Sequence, residues 1–73
     1  MIRVHDEVGD ALAEGRAVVA LESTIFSEFG LPPPVNRSCL EACVAVVRSA
    51  GAVPALTVVL DGVARVGLAD DEW

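Results

Sequence analysis

Residues 53–66 read VPALTVVLDGVARV, and this stretch decides the fold. Its first half is rich in β-branched residues and predicts a buried strand, with Pro54 near the start, where a strand tolerates the missing amide donor. Asp61 and Gly62 join this run to a second strand-like run, and a two-residue Asp-Gly link is a strong hairpin signal. The stretch therefore predicts two antiparallel strands.

A helix is predicted immediately before this hairpin. Four apolar residues repeat at the spacing of one helix face: Leu40, Cys43, Val44 and Val47. Gly51 is placed to end this helix. Asn36 and Ser38 are both plausible N-caps, and Ser38 with Glu41 fits the S-x-x-E capping box.

Two further elements are predicted nearer the N-terminus. Residues 17–22, AVVALE, form an apolar run without polar alternation, which is typical of a parallel strand covered on both faces. Residues 4–14 have the spacing of a short amphipathic helix that ends at Gly15. The strand over residues 17–22, the helix that ends at Gly51 and the strand over residues 53–60 then make a right-handed βαβ unit. The predicted fold class is α/β, with one βαβ unit followed by a β-hairpin.

Composition restricts the functions that the chain can have. With 73 residues, 53% of them hydrophobic, the chain is one globular domain at most. A net charge of −6 opposes a nucleic-acid surface. The sequence contains no apolar run long enough to span a membrane and no signal-peptide pattern, so we expect a cytoplasmic protein. It also contains no lysine, which excludes Schiff-base chemistry by this chain alone.

Several reactive or charged side chains have a plain structural explanation. Cys39 and Cys43 are too few for a disulfide framework or a zinc site and are expected to be small buried hydrophobes. His5 is expected at the solvated start of a helix, and Glu28 in solvent. Three acids near the C-terminus suit the positive end of a helix rather than a metal site: Asp70, Asp71 and Glu72.

Glu22 is the main candidate for chemistry, because ligands collect beyond the carboxyl ends of parallel strands. Ser23 and Thr24 follow it with hydroxyls able to bind phosphate or sugar oxygens, and residues 32–34 are prolines that stiffen the next loop in an extended path. Apolar neighbours would raise the pKa of Glu22 and suit a general acid. Alternatively, the carboxylate faces solvent or caps a local backbone donor. Asn36 is a cap or loop residue whose amide could reach a ligand.

Other common sites do not fit. The glycines form neither a GxGxxG nor a GxxxxGK[ST] pattern, which disfavours the corresponding nucleotide-binding modules. Ser23 lacks the G-x-S-x-G elbow of a serine hydrolase.

Four segments in the same order resemble the opening of the pseudouridine-5'-phosphate glycosidases: VALESTIF (19–26), GLPPPVN (30–36), SCLEACVAVVRSAGAVPA (38–55) and LTVVLDGVARVGL (56–68). The likeness extends from about Val4 to Trp73. It is specific because an acid-hydroxyl tripeptide, a proline loop ending in Asn and a D-G hairpin occur together. The loop after the tripeptide departs from the family, because Glu28 and Phe29 stand where many members read S-H-G.

The resemblance implies an enzyme that reversibly splits pseudouridine 5'-phosphate into uracil and ribose 5-phosphate. It further implies an α/β/α sandwich, a trimer, a divalent metal that is usually manganese, a covalent lysine and a proton-donating glutamate that matches Glu22. The metal ligands and the lysine have no match in this chain. Ser23, Thr24 and Asn36 are the candidates for substrate contact that the residues themselves offer.

Two readings of the chain follow. In the first, residues 1–73 are the N-terminal part of one truncated glycosidase domain, a fragment of the larger sandwich, and are inactive alone because they lack lysine. In the second, the chain is a small acidic interaction module that uses an exposed sheet edge, and Glu22 is only structural.

Overall fold

A computed structural model describes residues 1–27, 29–69 and 72 of the chain. The elements in chain order are β1 (Ile2–Val4), α1 (Asp6–Ala13), β2 (Val18–Glu22), a 3₁₀ turn (Thr24–Phe26), α2 (Val35–Ser49), β3 (Val53–Leu60) and β4 (Val63–Val66). The α/β class is confirmed.

The strands form a four-stranded sheet within the described residues, in the order β1-β4-β3-β2. β2 and β3 are parallel neighbours joined through α2, which confirms the βαβ unit. β3 and β4 are antiparallel, which confirms the hairpin. Asp61 and Gly62 both have positive φ, 50° and 75°, as the tight turns of twisted hairpins require.

The predicted helix over residues 4–14 is wrong at its start. Ile2–Val4 instead form β1, which pairs in parallel with β4, and the helix begins at Asp6. His5 is the N-cap, and its Nδ1 accepts a hydrogen bond from the Glu7 amide at 3.2 Å. The helix therefore begins where a side chain satisfies a free amide donor.

The predicted capping box at Ser38 is also wrong. α2 already begins at Val35, with Pro34 as its N-cap. The Ser38 hydroxyl donates to the Pro34 carbonyl at 3.3 Å, and Glu41 pairs with Arg37 at 3.1 Å. Proline fixes φ near the helical value, so the proline segment leads directly into the helix. The predicted end is confirmed, because Gly51 follows the helix with a φ of 83°.

The main core lies where α1 packs on the sheet. Its buried members are Val8, Ala11, Val53 and Ala55. The two helices are also joined directly, because Arg48 of α2 binds Glu7 of α1 through two N–H···O contacts of 2.9 Å. Burial of the apolar side chains is the larger contribution, because an exposed ion pair stabilises by about 1 kcal/mol at most.

β2 was predicted to be covered on both faces, and this is wrong for the described chain. β2 is an edge strand, and Val19 and Ala20 are exposed. Leu21 is half-buried beside α2. The two helices cover only part of the sheet, so an apolar sequence here does not guarantee burial.

Candidate functional site

Glu22 is the last residue of β2 and lies at the carboxyl edge of the parallel pair. Its side chain is exposed. The Thr24 amide donates to Glu22 Oε1 at 2.6 Å, because the 3₁₀ turn folds the chain back directly after the strand. Glu22 thus ends the strand and caps the turn that follows it.

This local arrangement lowers the pKa of the Glu22 carboxyl. The largest cause is a hydrogen bond from the Thr24 hydroxyl, followed by the bond from the Thr24 amide, and the Ile25 amide also contributes. All three donors favour the charged form of the carboxylate. The expectation of a raised pKa is therefore wrong for this chain, because local donors are present and apolar burial is not. At neutral pH Glu22 is an ionised proton acceptor.

Of the two predicted hydroxyl residues, Thr24 is joined to Glu22, whereas Ser23 lies beside it. The Thr24 amide binds the carboxylate, and the Thr24 carbonyl accepts from the Ser27 hydroxyl at 2.7 Å. Ser23 is half-buried and precedes the turn. The turn therefore places a carboxylate and two hydroxyls within three consecutive residues at the sheet edge.

Asn36 lies in the first turn of α2, directly after the proline loop. Its Nδ2 donates to the Phe26 carbonyl at 3.1 Å, and its Oδ1 accepts from the Arg37 amide at 2.8 Å. Both ends of the amide are therefore occupied by the protein itself. Asn36 ties the 3₁₀ turn to the first turn of α2. The extended path predicted for the proline loop is also wrong, because the segment begins with the 3₁₀ turn and Pro34, with a ψ of 4°, already caps α2.

Thr57 is a site residue that sequence reasoning missed. It pairs with Glu22 across the parallel strands, and its hydroxyl donates to the Leu21 carbonyl at 3.1 Å. Paired residues share one face of a sheet, so Thr57 and Glu22 point the same way. The signal in the sequence was a single hydroxyl within the otherwise apolar run VPALTVVL.

An open groove of about 360 Å³ borders these residues. It reaches Ser23 at one end and crosses the exposed apolar face of the sheet. Its main lining residues on that face are Ile2, Thr57, Val59, Ala64 and Val66. The groove gives Glu22 a neighbouring surface on which a planar apolar group could rest, with hydroxyls at the rim.

The sequence of this sheet and turn matches a known family. Residues 7–73 match the family described as indigoidine synthase A like protein. The chain belongs to the indigoidine synthase A-like family.

Curated relatives of this indigoidine synthase A-like chain are pseudouridine-5'-phosphate glycosidases. The protein from Chloroflexus aurantiacus is 53% identical over 99% of this chain and 23% of the relative. The protein from Arabidopsis thaliana is 43% identical over 99% of this chain and 22% of the relative. The chain thus spans about a fifth of the length of the curated relatives it matches.

A solved structure is similar to the whole described fold. It is the crystal structure of the prealnumycin C-glycosynthase AlnA in complex with ribulose 5-phosphate, with a TM-score of 0.71 and 40% identity. The alignment covers 99% of this chain and 22% of that protein. The indigoidine synthase A-like family membership therefore rests on both sequence and fold.

Elsewhere in the described part of this family member, the structure shows no cluster of metal-ligating side chains. Within residues 1–27, 29–69 and 72, no group of three or more His, Cys, Asp or Glu side chains could hold a metal ion. Glu72 accepts from the Ala69 amide at 2.9 Å and from Arg65 at 2.8 Å, and these contacts lower its pKa. Three predicted surface or helix-start acids and the C-terminal residue lie outside the described residues: Glu28, Asp70, Asp71 and Trp73.

None of the helices in the described part of the chain is both long and apolar enough to span a bilayer.

Proposed function

We propose that this chain is part of a pseudouridine-5'-phosphate glycosidase, in which Glu22 exchanges a proton with the uracil base. The reaction is the reversible cleavage of the C-glycosidic bond to uracil and ribose 5-phosphate. The observation that carries the proposal is the position of Glu22, which ends β2 at the carboxyl edge of the parallel pair and is oriented by Thr24. The names of its relatives support the substrate class.

The chemistry needs one group that both gives and takes a proton. When the glycosidic carbon–carbon bond breaks, its electron pair stays on the base carbon, which must then gain a proton. When the bond forms, the same carbon must lose that proton. By microscopic reversibility one carboxyl serves both directions, as the acid in cleavage and as the base in synthesis.

The described contacts of Glu22 favour its ionised form, which acts as the proton acceptor. Three donors hold it ionised, which suits removal of the proton during bond formation. For cleavage, the carboxyl must hold a proton near neutral pH, which requires a higher pKa. We propose that polypeptide outside residues 1–73 covers the groove beside Ser23 and Thr57, because removal of water there would raise the pKa of Glu22.

The chain alone is proposed to be inactive. The enzymes that it resembles attack the opened ribose with a lysine, and this sequence has none. The manganese ion and the trimer implied by the resemblance are likewise proposals for a longer protein. The described residues do not form a site that fits such a metal.

The role of Glu22 can be tested in a chimera. Residues 1–73 replace the aligned segment of the Chloroflexus aurantiacus relative, and uracil release from pseudouridine 5'-phosphate is measured for the chimera and its E22Q variant. We expect E22Q to lower kcat by roughly 10²- to 10⁴-fold, the usual contribution of acid–base catalysis. E41Q is the matched control on an exposed helix face and is expected to keep its turnover.

Each outcome has a separate meaning. Full turnover by the E22Q chimera would remove Glu22 from the mechanism. Release of uracil at enzymatic rates by the 73-residue chain alone would show that no external lysine is required. Failure of the E41Q control would indicate damage to folding rather than to chemistry.

A second candidate function is a non-catalytic interaction module. It is favoured by the exposed apolar sheet face, where Ile2 is 70% and Val59 67% exposed, and by the unpaired edges of β1 and β2. Sedimentation velocity of the purified chain distinguishes the readings. A chain that stays monomeric across the accessible concentration range gives no support to self-association through this face.

A further inference from the structure

The two cysteines lie together on α2 in a setting that the proposed function does not use. Cys39 and Cys43 are one helical turn apart, so their side chains share a face. Both are free and half-buried. Both side chains line the same groove beside α2. The pair is therefore a preformed dithiol rather than two unrelated small hydrophobes.

An open groove of about 340 Å³ runs beside this pair. Its lining residues are Leu21, Cys39, Ala42, Cys43, Val46 and Val47. Apart from the thiols, every side chain in the lining is a hydrocarbon. A ligand for this place must bind sulfur and must also carry an apolar group.

The number of sulfur atoms restricts the ligand further. The sequence has only two cysteines, and the described residues supply no third metal-ligating side chain beside them. Structural zinc needs four donors and is excluded on that count. A disulfide is also disfavoured, because Cβ atoms one turn apart are about 5–6 Å from each other, whereas a disulfide needs about 3.5–4.5 Å. A single bridging atom that takes two sulfurs spans the wider gap.

We propose that Cys39 and Cys43 form a binding site for monosubstituted trivalent arsenicals that carry an apolar organic group. Arsenic in such a compound keeps one bond to carbon and exchanges its oxygen ligands for two sulfurs. With phenylarsine oxide, two As–S bonds form, both S–H bonds break, and the oxygen leaves as water with the two thiol protons. No oxidant or reductant is required. The organic group packs in the groove against Leu21, Val46 and Val47.

The protonation of the thiols suits this exchange. Desolvation and the neighbouring Cys39 raise the pKa of Cys43, so this thiol is neutral at physiological pH. Neutral thiols react slowly with alkylating agents, which need the thiolate. Exchange at arsenic consumes the thiol protons in forming water, so a protonated Cys43 is a competent reactant.

The test uses the reduced 73-residue chain and phenylarsine oxide, with intact-mass spectrometry and a competition against glutathione. We expect one phenylarsenic unit per chain, with the loss of two hydrogens, resistant to the monothiol and removed by dithiothreitol. C39S and C43S should each weaken binding at least about tenfold, because the second sulfur then no longer acts at high effective concentration.

A matched control keeps two thiols but separates them. In C43S/A45C the second thiol moves to exposed Ala45, which lies on another side of a helix with about 3.6 residues per turn. It should bind at least about tenfold more weakly than the natural pair, with folding checked by circular dichroism. Equal binding by this variant, or two arsenicals per natural chain, would overturn the proposal. If the variant does not fold, the natural chain in urea is the comparison, and equally tight binding there overturns it.

Discussion

The two halves of β3 differ in what surrounds them. In the first half, Val53 is 5% and Ala55 0% exposed, packed with Val8 and Ala11 of α1. In the second half, Thr57 is half-buried beside Glu22, and Val59 is largely exposed. One strand thus carries the core at its start and borders the candidate site at its end. Packing fixes the position of Glu22 without covering it, as is usual where function lies on a rigid scaffold.

The largest expected effect is at Gly67, where the chain leaves β4 beside the packed half. Its φ is 89°, and an added Cβ would lie 2.8 Å from Val8 Cγ2 and 2.9 Å from His5 Cβ. G67A should lower the free energy of unfolding by about 3 kcal/mol, through left-handed strain and overpacking together.

G51A is the matched control for this substitution. Gly51 has a similar φ of 83°, but an added Cβ meets nothing within 4 Å. G51A should lower the free energy of unfolding by only about 1–2 kcal/mol, because left-handed strain is then the sole cost. Urea denaturation measures both variants, and equal losses would mean that the contact with α1 is unimportant.

A smaller effect separates the two halves of β3 directly. V53A should lower the free energy of unfolding by about 2 kcal/mol, because it removes buried methyl groups and leaves a cavity. V59A, on the same strand, should cost only about 0.5 kcal/mol, mostly through strand propensity. Urea midpoints with unchanged m-values would verify the difference. Similar losses would show that the exposed half is covered in solution, for example by a second copy of the chain.

The smallest effect concerns the protonation of Glu22 at the open end. An NMR titration of the chain should place its pKa below the ordinary glutamate value, and T24V should move it back towards that value. A lowered folded pKa stabilises the fold above the unfolded pKa, and this contribution is lost as pH falls through the folded pKa. A pKa in T24V identical to that of the natural chain would contradict the assigned role of Thr24.

The sequence predicted those elements whose signals are local. The hairpin was predicted because the Asp61-Gly62 pair is itself a turn signal. The end of α2 was predicted because Gly51 is a helix-stop signal. β1 was missed because three residues become a strand only through pairing with β4, a distant partner. The start of α2 was misplaced because the capping-box pattern at Ser38 competed with an earlier start after the prolines.

The position of Glu22 at the end of a strand was predicted, but its local contacts were not. An acid at the end of an apolar run located Glu22 correctly at the sheet edge. Its pKa was predicted with the wrong sign, because the donors of Thr24 and Ile25 come from a turn that the pattern did not reveal. Asn36 was predicted to be a cap or loop residue that could also reach a ligand, and its amide binds the Phe26 carbonyl and the Arg37 amide. Family membership stands independently of these side-chain details.

The pairing of β1 with β4 has a consequence for synthesis on the ribosome. Ile2 is aligned with Ala64, so roughly sixty residues must be made before the first strand can meet its partner, and such distant contacts form slowly. Until then the β1 segment of the nascent chain carries an unsatisfied row of amides and carbonyls. The hairpin turn at Asp61 brings β4 back along β3, and β1 can pair with β4 only after this turn has formed.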